Sequence, residues 1–388
     1  MIIHAFNSSL VSGPERLVLP ALAGERGRFM VVNLVEQRLE RLREADPLEA
    51  LSRSLGLPYA AVPVRSRWDG EAMRRLRGLL ESVKPELVHA HADKASLYVI
   101  QSVRALRPAP PIVSTHHGVR VVHDWKTRLY EIAYRRLFLR FFDRALCVST
   151  EDYETVLASG VGAGRVRLHL NGIDGHAADL DRRSDARRKI RASWLPQENA
   201  PENLFLLGVV ARLSPEKNHD RLLRTLAHLE KNGCRKDWRL LIFGGGRLER
   251  TLKETVLRLG LERRVVWMGY RDDVARELPG LDLLLSFSKA EGLPINLIEA
   301  GWAGIPVMST LVGGVKDLIP DERFGTGVPP GERVEESARR MSTLLSDEGV
   351  KTLDAQGRRF QERVSKDFSR TRWMGRLREI YAELGVTV

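Results

Sequence analysis

Two glutamates separated by seven residues frame a short apolar segment. Glu291 and Glu299 bracket the stretch GLPINLI, which contains no lysine or arginine that could pair with either of them. A carboxylate repels phosphate, but it accepts hydrogen bonds from hydroxyls and can hold a vicinal diol through both oxygens. The two glutamates therefore predict contacts with the hydroxyls of a sugar.

The residues between the glutamates predict a helix whose first turn faces the same ligand. Pro294 suits the first helical position, because its missing N–H would be unsatisfied there in any case. The helix is predicted to run through Glu299 to about Ala303 and to end near Gly304 and Pro306. Its N-terminus offers free amides and the positive end of the helix dipole to a phosphate.

Two cations lie about eighty residues upstream, in the stretch LGVVARLSPEKNHDRLL. An apolar strand ends at Ala211, Arg212 follows at its carboxyl end, and Lys217 lies in the loop before the next helix. A guanidinium fork and an ammonium point charge together suit a diphosphate. Taken alone, the pair is better explained as two solvated surface charges. Combined with the two glutamates, it describes a nucleotide-sugar as the ligand.

The elements that must position these residues are apolar strands alternating with helices, as in parallel sheets covered on both faces. Two series of apolar runs are separated by the polar stretch SWLPQENAPENL, and 388 residues exceed the usual size of one core. Two doubly wound domains follow, with the ligand in the cleft between them, at the carboxyl ends of the strands. The predicted boundaries are a first domain over 1–178, a connection over 179–202, a second domain over 203–366, and a C-terminal helix over 367–388 that crosses back to the first domain.

Composition excludes several other classes of protein. The two cysteines, Cys147 and Cys234, are too few for a disulfide scaffold or a structural zinc site and favour a reducing compartment. No signal peptide and no apolar run of spanning length is recognisable, so the expected location is the cytoplasm. The net charge of +12 attracts polyanions. A nucleic-acid-binding role is not expected, because no recognised binding module is present and the glutamates would remain unexplained.

The same stretches carry a family resemblance over most of the chain. EGLPINLIEAGWAGIPVMSTLVGGVKDLI resembles the E-x7-E region of retaining GT-B glycosyltransferases of family 4, the "glycosyl transferases group 1" family. ARLSPEKNHDRLL is similar to the family's GR-x-x-x-x-KG segment, with Ala211 and Asn218 in place of glycines. LLIFGGGRLERTLK resembles its glycine loop and VVWMGYRDDV its nucleotide-base loop. PELVHAHADKAS, PIVSTHHGV, FDRALCVST and LHLNGID follow in family order in the first half.

The resemblance implies a GT-B architecture, in which two Rossmann-like doubly wound domains face each other across a cleft. The first domain would bind the acceptor and the second the nucleotide-sugar donor. Arg212 and Lys217 would contact the donor diphosphate, Glu299 the ribose and Glu291 the transferred sugar. Arg271 would lie beside the base. The remaining donor contacts implied are Gly13 in a glycine-rich first loop, Gly244 in the glycine loop, and Gly292, Leu293 and Pro294, of which Pro294 has no N–H to donate.

Histidines provide the candidate site residues of the first domain. His117 matches the position of the family's active-site histidine and His116 lies one residue early, although a structural loop histidine is the alternative for either. His89 and His91 lie two apart on one strand and face the same side. His91 is interpreted either as an acceptor contact or as a structural residue. Metal binding would need further ligands, and no metal site is predicted.

The resemblance also implies a mechanism that retains the anomeric configuration, with the acceptor itself as nucleophile. His117, Arg212, Lys217 and Glu291 form the predicted catalytic set, and the two cations would stabilise the leaving diphosphate without a metal. No cofactor is expected beyond a UDP- or GDP-sugar as donor substrate. The acceptor would be a hydroxyl of a saccharide or a lipid-linked sugar, in cell-surface glycan (lipopolysaccharide or exopolysaccharide) or glycolipid synthesis.

Three alternatives remain beside this function. A nucleotide-sugar epimerase could use the same fold, and a transferase could act on a soluble small-molecule acceptor. An NAD-dependent enzyme is disfavoured, because Glu249 occupies the third glycine position of the dinucleotide fingerprint that begins at Gly244.

A segment rich in both basic and aromatic residues predicts a second kind of contact. In RVVHDWKTRLYEIAYRRLFLRFFDRA, cations alternate with aromatic rings, a composition that suits an anionic membrane surface. The alternative is a helix packed on the first domain's sheet with its arginines outward. The first interpretation predicts a peripheral location at the inner face of the cell membrane. The residues concerned are Trp125, Lys126, Arg128, Tyr130, Tyr134, Arg135, Arg136, Phe138, Arg140, Phe141 and Phe142.

Overall fold

The computed structural model describes residues 1–25, 27–36, 46–66, 68–91, 93–117, 132, 134–175, 183–195, 204–234 and 236–388. They form two compact units, Met1–Gly172 with Arg370–Val388, and Ile173–Ser369. Each unit is a parallel sheet with helices on its faces, so the predicted pair of doubly wound Rossmann-like domains is confirmed. None of the described helices is both long and apolar enough to span a bilayer.

The sheet of the first unit has seven strands in the order β3-β2-β1-β4-β5-β6-β7, and all its strand pairs are parallel. Its core is formed by inward-facing strand residues and the apolar faces of the flanking helices, with Tyr98 and Phe142 fully buried. The strands are β1 (Ile2–Phe6), β2 (Phe29–Glu36), β3 (Tyr59–Val64), β4 (Leu87–His91), β5 (Ile112–His116), β6 (Arg144–Cys147) and β7 (Val166–Leu168), and the helices in the first part of the chain are α1 (Gly13–Leu22), α2 (Pro47–Ser54), α3 (Gly70–Val83), α4 (Asp93–Val103) and α5 (Thr150–Ala158).

The sheet of the second unit has six strands in the order β10-β9-β8-β11-β12-β13, again with parallel pairs. Trp238 is the largest fully buried side chain of the described residues and anchors this core. The strands are β8 (Phe205–Val210), β9 (Trp238–Phe243), β10 (Val265–Gly269), β11 (Leu283–Ser286), β12 (Val307–Thr310) and β13 (Thr326–Val328), and the helices are α6 (Arg183–Trp194), α7 (His219–Lys231), α8 (Glu249–Arg258), α9 (Ile295–Trp302), α10 (Val315–Leu318), α11 (Val334–Leu344) and α12 (Asp347–Asp367).

The boundaries between the units differ from the predicted ones. The first unit ends at Gly172 rather than at 178, and the connecting segment belongs to the second unit where it is described. Helix α6 buries Trp194 and donates a hydrogen bond from Arg191 Nε to the Gly280 carbonyl at 2.9 Å, so it is part of that unit's packing. The last helix, α13 (Arg370–Ala382), belongs to the first unit, where it buries Tyr381 completely.

Candidate active site

The candidate donor site lies in loops at the carboxyl ends of the strands of the second unit. Strands β9 and β10 lie on one side of β8, and β11, β12 and β13 lie on the other. The chain order therefore changes direction between β8 and β11, which is where ligands bind in open α/β sheets. Arg212 and Lys217 follow β8, the glycine loop follows β9, and Glu291 follows β11.

An ion pair joins two of the predicted site residues. Lys217 Nζ lies 2.6 Å from Glu291 Oε1, and Ser288 Oγ donates to the same oxygen at 2.6 Å. The Lys289 amide donates to the Glu216 carbonyl at 2.8 Å, so the loops after β8 and β11 are also joined through their backbones. The cation that is missing between the two glutamates is thus supplied by the loop after β8.

Burial makes this ion pair a fixed feature of the site. The side chain of Lys217 is 19% exposed and that of Glu291 only 9%. Among the described residues, hydrogen bonds to the Glu291 side chain reach Oε1 alone. The carboxylate is therefore held by one oxygen, and Oε2 remains available to accept a hydrogen bond from a sugar hydroxyl.

Arg212 has a different environment from Lys217. Its side chain is 72% exposed, and its Nη2 lies 3.3 Å from Glu216 Oε1. A pair this exposed contributes little to stability, so the guanidinium can exchange Glu216 for a phosphate at low cost. The Arg212 side chain thus has one exposed, exchangeable partner, whereas the Lys217 side chain is held in a buried ion pair.

The glycine loop after β9 packs directly against the loop that carries Arg212. A Cβ on Gly244 would lie 2.0 Å from the Ala211 carbonyl oxygen, and one on Gly246 would lie 2.6 Å from that of Leu213. Both glycines also have positive φ, at +139° and +155°. Gly244 is therefore required by a close backbone approach that sets the position of Arg212, in addition to its predicted contact with the donor.

A second pair of glycines packs against the backbone of the loop that carries Glu291. Gly313 and Gly314 follow β12, and the Gly314 amide donates to the Gly292 carbonyl at 2.6 Å. A Cβ on Gly313 would lie 1.8 Å from the Glu291 carbonyl oxygen. The sequence showed this Gly-Gly turn, but its supporting role was not predicted, because the contact joins loops after two different strands.

Alanine at Gly313 is expected to displace the Glu291 loop and to lower stability by about 2–3 kcal/mol, since φ is +53° and the added carbon clashes with backbone. Gly245 is the matched control, because a Cβ there meets no atom within 4 Å. Urea unfolding of both variants measures the difference. Equal stability of Gly313→Ala and Gly245→Ala would show that the Gly313 contact does not hold the loop.

The helix after Glu291 begins one residue later than predicted. Pro294 is the N-cap, with an extended ψ of 117°, and the helix runs from Ile295 to Trp302. Leu293 is 4% exposed, and the Asn296 side chain donates to the Val210 carbonyl at 2.9 Å, which fixes the helix to the end of β8. Because the proline keeps an extended backbone, the first free amides come after it.

Glu299 and Arg271 are two further predicted donor contacts of the second unit. Glu299 is half-buried at the fifth residue of α9. Arg271 follows β10, is 42% exposed, and lies with Nη1 3.7 Å from Glu277 Oε1. In the described contacts neither residue bonds to Lys217 or Glu291, so their roles toward ribose and base remain predictions.

Gly13 in the first unit begins α1, but a carboxylate already caps this helix. The Ser12 amide donates to Glu15 Oε2 at 2.8 Å and the Ser12 hydroxyl donates to the same oxygen at 2.7 Å. Glu15 is 5% exposed. A phosphate approaching Gly13 would meet this negative charge, so the geometry does not favour the predicted contact.

The two candidate histidines of the first unit contact each other. His117 follows β5, and its Nε2 lies 3.3 Å from Nδ1 of His91 with the rings stacked 5.5 Å apart. His91 is 2% exposed, which favours its structural interpretation over an acceptor contact. His116 points elsewhere, with Nδ1 3.8 Å from Asp152 Oδ1, so the structure separates the two adjacent histidines.

The structure contains a compact group of three buried histidines, of which the sequence indicated only His89 and His91. His4, His89 and His91 are at most 2% exposed, and their ring nitrogens lie close enough together to hold a metal ion. Burial lowers the pKa of His4 to about 3 and those of His89 and His91 well below the usual range. His4 was missed because it lies on β1, where parallel pairing brings it beside His89.

Residues 190–363 match the family Glycosyl transferases group 1, and residues 28–176 match Glycosyltransferase Family 4. The chain carries the two domains of a glycosyltransferase. The family recognised from the sequence is thus confirmed.

Relatives and solved structures agree with this assignment. The glycosyltransferase is 22% identical over 391 residues to the UDP-Gal:alpha-D-GlcNAc-diphosphoundecaprenol alpha-1,3-galactosyltransferase of Escherichia coli, covering 99% of this chain and 97% of the relative. It is 31% identical to the Bacillus subtilis protein EpsF over 246 residues, which is 60% of each chain and so less than two thirds of that relative. Anabaena HepE in complex with UDP-glucose superposes with a TM-score of 0.80 at 20% identity, over 99% of this chain and all of the other. The glycosyltransferase therefore has the GT-B fold.

Proposed function

We propose that this enzyme transfers a sugar from a nucleoside-diphosphate sugar to a hydroxyl acceptor with retention of the anomeric configuration. The observation that carries the proposal is the buried Lys217–Glu291 ion pair at the strand switch point. It sets a cation for the diphosphate beside a carboxylate for the sugar. The exposed Arg212 at the end of β8 supplies the second charge.

The chemistry follows from where charge develops in the reaction. The bond between the anomeric carbon and the diphosphate oxygen breaks, and negative charge grows on the leaving diphosphate. Lys217 and Arg212 stabilise that charge, which is the role a metal ion fills in other enzymes, so we propose a metal-independent reaction. Glu291 Oε2 holds a hydroxyl of the transferred sugar, and Glu299 holds the ribose. Retention follows when the acceptor oxygen bonds to the anomeric carbon from the face that the diphosphate leaves, while the hydroxyl proton passes to the departing diphosphate oxygen.

The names of the relatives suggest the class of substrates. The Escherichia coli relative is named for a UDP-galactose donor and a diphosphoundecaprenol-linked acceptor, and HepE was crystallised with UDP-glucose. We therefore propose a UDP-hexose donor, with a GDP-sugar as the alternative, and a lipid-linked saccharide acceptor in cell-surface glycan synthesis. A soluble acceptor would be compatible with the same donor site.

A panel of UDP-, GDP- and ADP-sugars tests the proposal, with donor binding measured by calorimetry and nucleotide release measured with and without candidate acceptors. Saturable binding of one donor class and acceptor-dependent release of free nucleoside diphosphate are expected. Conversion of the donor to an epimer without any acceptor would identify the epimerase instead. Binding of none of the donors would refute the assignment.

A surface of the first unit supports the proposed peripheral location. Leu137 and Phe141 are 57% and 44% exposed, Arg136 and Arg140 are exposed beside them, and the Arg104 guanidinium lies 4.7 Å from the centre of the Phe141 ring. Exposed apolar side chains among arginines suit an anionic bilayer. The same segment also packs inward through Tyr134 and Phe142, as the packed interpretation predicts. We propose the membrane contact for its outward side chains. Trp125, Lys126, Arg128 and Tyr130 of the predicted patch lie outside the described residues.

Co-sedimentation with vesicles tests this surface. The enzyme is expected to bind vesicles containing anionic lipid and to lose at least about half of that binding in a Leu137→Ser/Phe141→Ser variant, because two inserted side chains are removed. Leu257, which is 64% exposed in the second unit, provides the control substitution Leu257→Ser. Binding that is independent of anionic lipid, or equal losses in both variants, would contradict a specific surface.

A further inference from the structure

A chain of side-chain hydrogen bonds begins in the interior of the first unit. The Thr115 hydroxyl on β5 lies 2.7 Å from Nε2 of His89 on β4. The other ring nitrogen of His89, Nδ1, lies 2.6 Å from the hydroxyl of Tyr381. Tyr381 is on α13, so the C-terminal helix provides a link between groups that the sheet alone does not join.

The chain continues from Tyr381 to the candidate active-site histidine. The Tyr381 hydroxyl lies 3.2 Å from His4 Nε2, and His4 Nδ1 lies 2.9 Å from His91 Nε2. His91 Nδ1 then reaches His117 Nε2 at 3.3 Å. Each of the three buried rings therefore uses both of its nitrogens, which explains the compact histidine group without a metal ion.

The protonation of these groups requires all the hydrogen bonds in this series to run in the same direction. Burial lowers the pKa of His4, His89 and His91, so these rings are neutral and each has one N–H donor and one bare nitrogen acceptor. The Tyr381 hydroxyl has one proton to donate. If one group donates toward His117, the next must do the same, and the tautomers of the rings are therefore correlated.

Thr115 selects between the two directions. The threonine is 4% exposed, and within the described part of the chain its hydroxyl meets only His89 Nε2. When it donates to that nitrogen, its O–H is satisfied. When it accepts instead, the buried O–H has no partner, which is the costly arrangement. Each hydrogen bond in the series is then donated in the direction from Thr115 toward His117.

We infer that the hydrogen bonds from Thr115 through His89, Tyr381, His4 and His91 form a relay of fixed direction that keeps the proton of neutral His117 on Nδ1. The same direction places the proton on Nδ1 in the other three rings. His117 then presents an N–H donor on the side away from His91. Thr115, His89, Tyr381, His4 and His91 are positioning residues, because they act through His117.

The functional consequence rests on the proposed transferase activity. A fixed Nδ1–H makes His117 a hydrogen-bond donor at that nitrogen, which therefore cannot act as a base. The tautomer itself can be measured without any substrate, so the relay and the activity are tested separately.

Long-range proton–nitrogen correlation NMR of the full chain with labelled histidine provides the first test, at mildly alkaline pH. Protonated and bare ring nitrogens have distinct nitrogen shifts. His117 is assigned by the signal lost in His117→Gln, and the other rings by the same method. The expected result is a protonated Nδ1 and a bare Nε2 in His4, His89, His91 and His117. A protonated Nε2 on any of these four rings would overturn the relay.

Tyr381→Phe is the second test, because it removes the hydroxyl that links His89 to His4 and keeps the aromatic ring. Without that link Thr115 no longer biases the distal rings, and a second His117 tautomer is expected. Tyr134→Phe is the matched control, since Tyr134 is 1% exposed and its hydroxyl bonds to Ser96 and Ser114, outside the relay. An unchanged His117 pattern in Tyr381→Phe, or the same change in both variants, would refute the inference.

Kinetics supply the functional readout. Once a donor and an acceptor are known, Tyr381→Phe is expected to lower kcat by about two- to tenfold, the effect of one neutral hydrogen bond, with the donor KM unchanged. Tyr134→Phe is expected to keep the wild-type kcat. If NMR shows the predicted tautomers but the protein transfers no sugar, the proposed function is refuted and the relay is still supported.

Discussion

Replacing Lys217 with methionine is expected to lower the rate of glycosyl transfer by roughly a hundredfold or more. The ammonium group lies at the strand switch point, 2.6 Å from Glu291, where the leaving diphosphate is proposed to bind. Removing one preorganised charge from such a site typically costs two to three orders of magnitude in kcat. The measurement is turnover at saturating donor, with donor binding measured separately.

Stability must be separated from catalysis in this experiment. Methionine leaves the Glu291 carboxylate, 9% exposed, without its cation, and a loss of about 2–3 kcal/mol in unfolding free energy is expected. Lys217→Met combined with Glu291→Gln removes both charges and is expected to recover most of that stability while transfer remains lost. A double variant that regains wild-type turnover would contradict the assignment of Lys217 to the diphosphate.

Acid is expected to destabilise the first unit strongly, because its buried histidines fold in the neutral form. Burial lowers the pKa of His4 to about 3 and of His169 to about 4, and lowers those of His89 and His91 well below 6.5. In the unfolded chain each titrates near 6.5, so the unfolded state binds more protons as the pH falls. Their contribution to stability is therefore complete above 6.5 and decreases below it, by about 1.4 kcal/mol per histidine between pH 7.5 and 5.5.

The four histidines together predict a loss of about 5 kcal/mol over that interval, a large part of a typical domain's stability. Hydrogen exchange of amides in β1 and β4 measures it specifically for the first unit. His169→Gln is the informative variant, because the glutamine amide can still donate to the Trp373 carbonyl that His169 contacts at 3.1 Å. Between pH 7.5 and 5.5, the unfolding free energy of this variant should fall by about a quarter less than that of wild type. A pH-independent opening free energy would show that these histidines do not fold in the neutral form.

Local sequence patterns predict much of the fold. Apolar runs predicted the central strands of both sheets, since a strand covered on both faces must be apolar throughout. The predicted runs are MIIHAF, RFMVVNLV, ELVHAHA, PIVSTHH and RALCVST in the first half and LFLLGVVAR, WRLLIFGGG, RVVWMGY, LDLLLSFS and IPVMST in the second. The strands that they leave out, β3, β7 and β13, all lie at the edge of a sheet. Edge strands have one unpaired side and can be short or contain proline, as β3 does at Pro63. Their apolar signal is correspondingly weaker.

The candidate donor site was also identified from sequence, but as separate groups. Two glutamates, two cations and a glycine loop indicated a nucleotide-sugar through the chemistry of each residue type. The direct pairing of Lys217 with Glu291 could not be predicted, because the residues are 74 positions apart and meet only since β8 and β11 are neighbours. The support from Gly313 depends in the same way on β12 lying beside β11.

Sequence alone therefore determined the residue types, the parallel-sheet class and the family. Local periodicity and motif spacing carry that information, since both act over a few turns or a single strand. Tertiary structure alone decided which groups touch. The relay shows this most clearly, because Tyr381 and His4 are 377 positions apart and meet only where the C-terminal helix packs on the first sheet. Strand order and helix docking are set by non-local packing, and no local pattern in the chain records them.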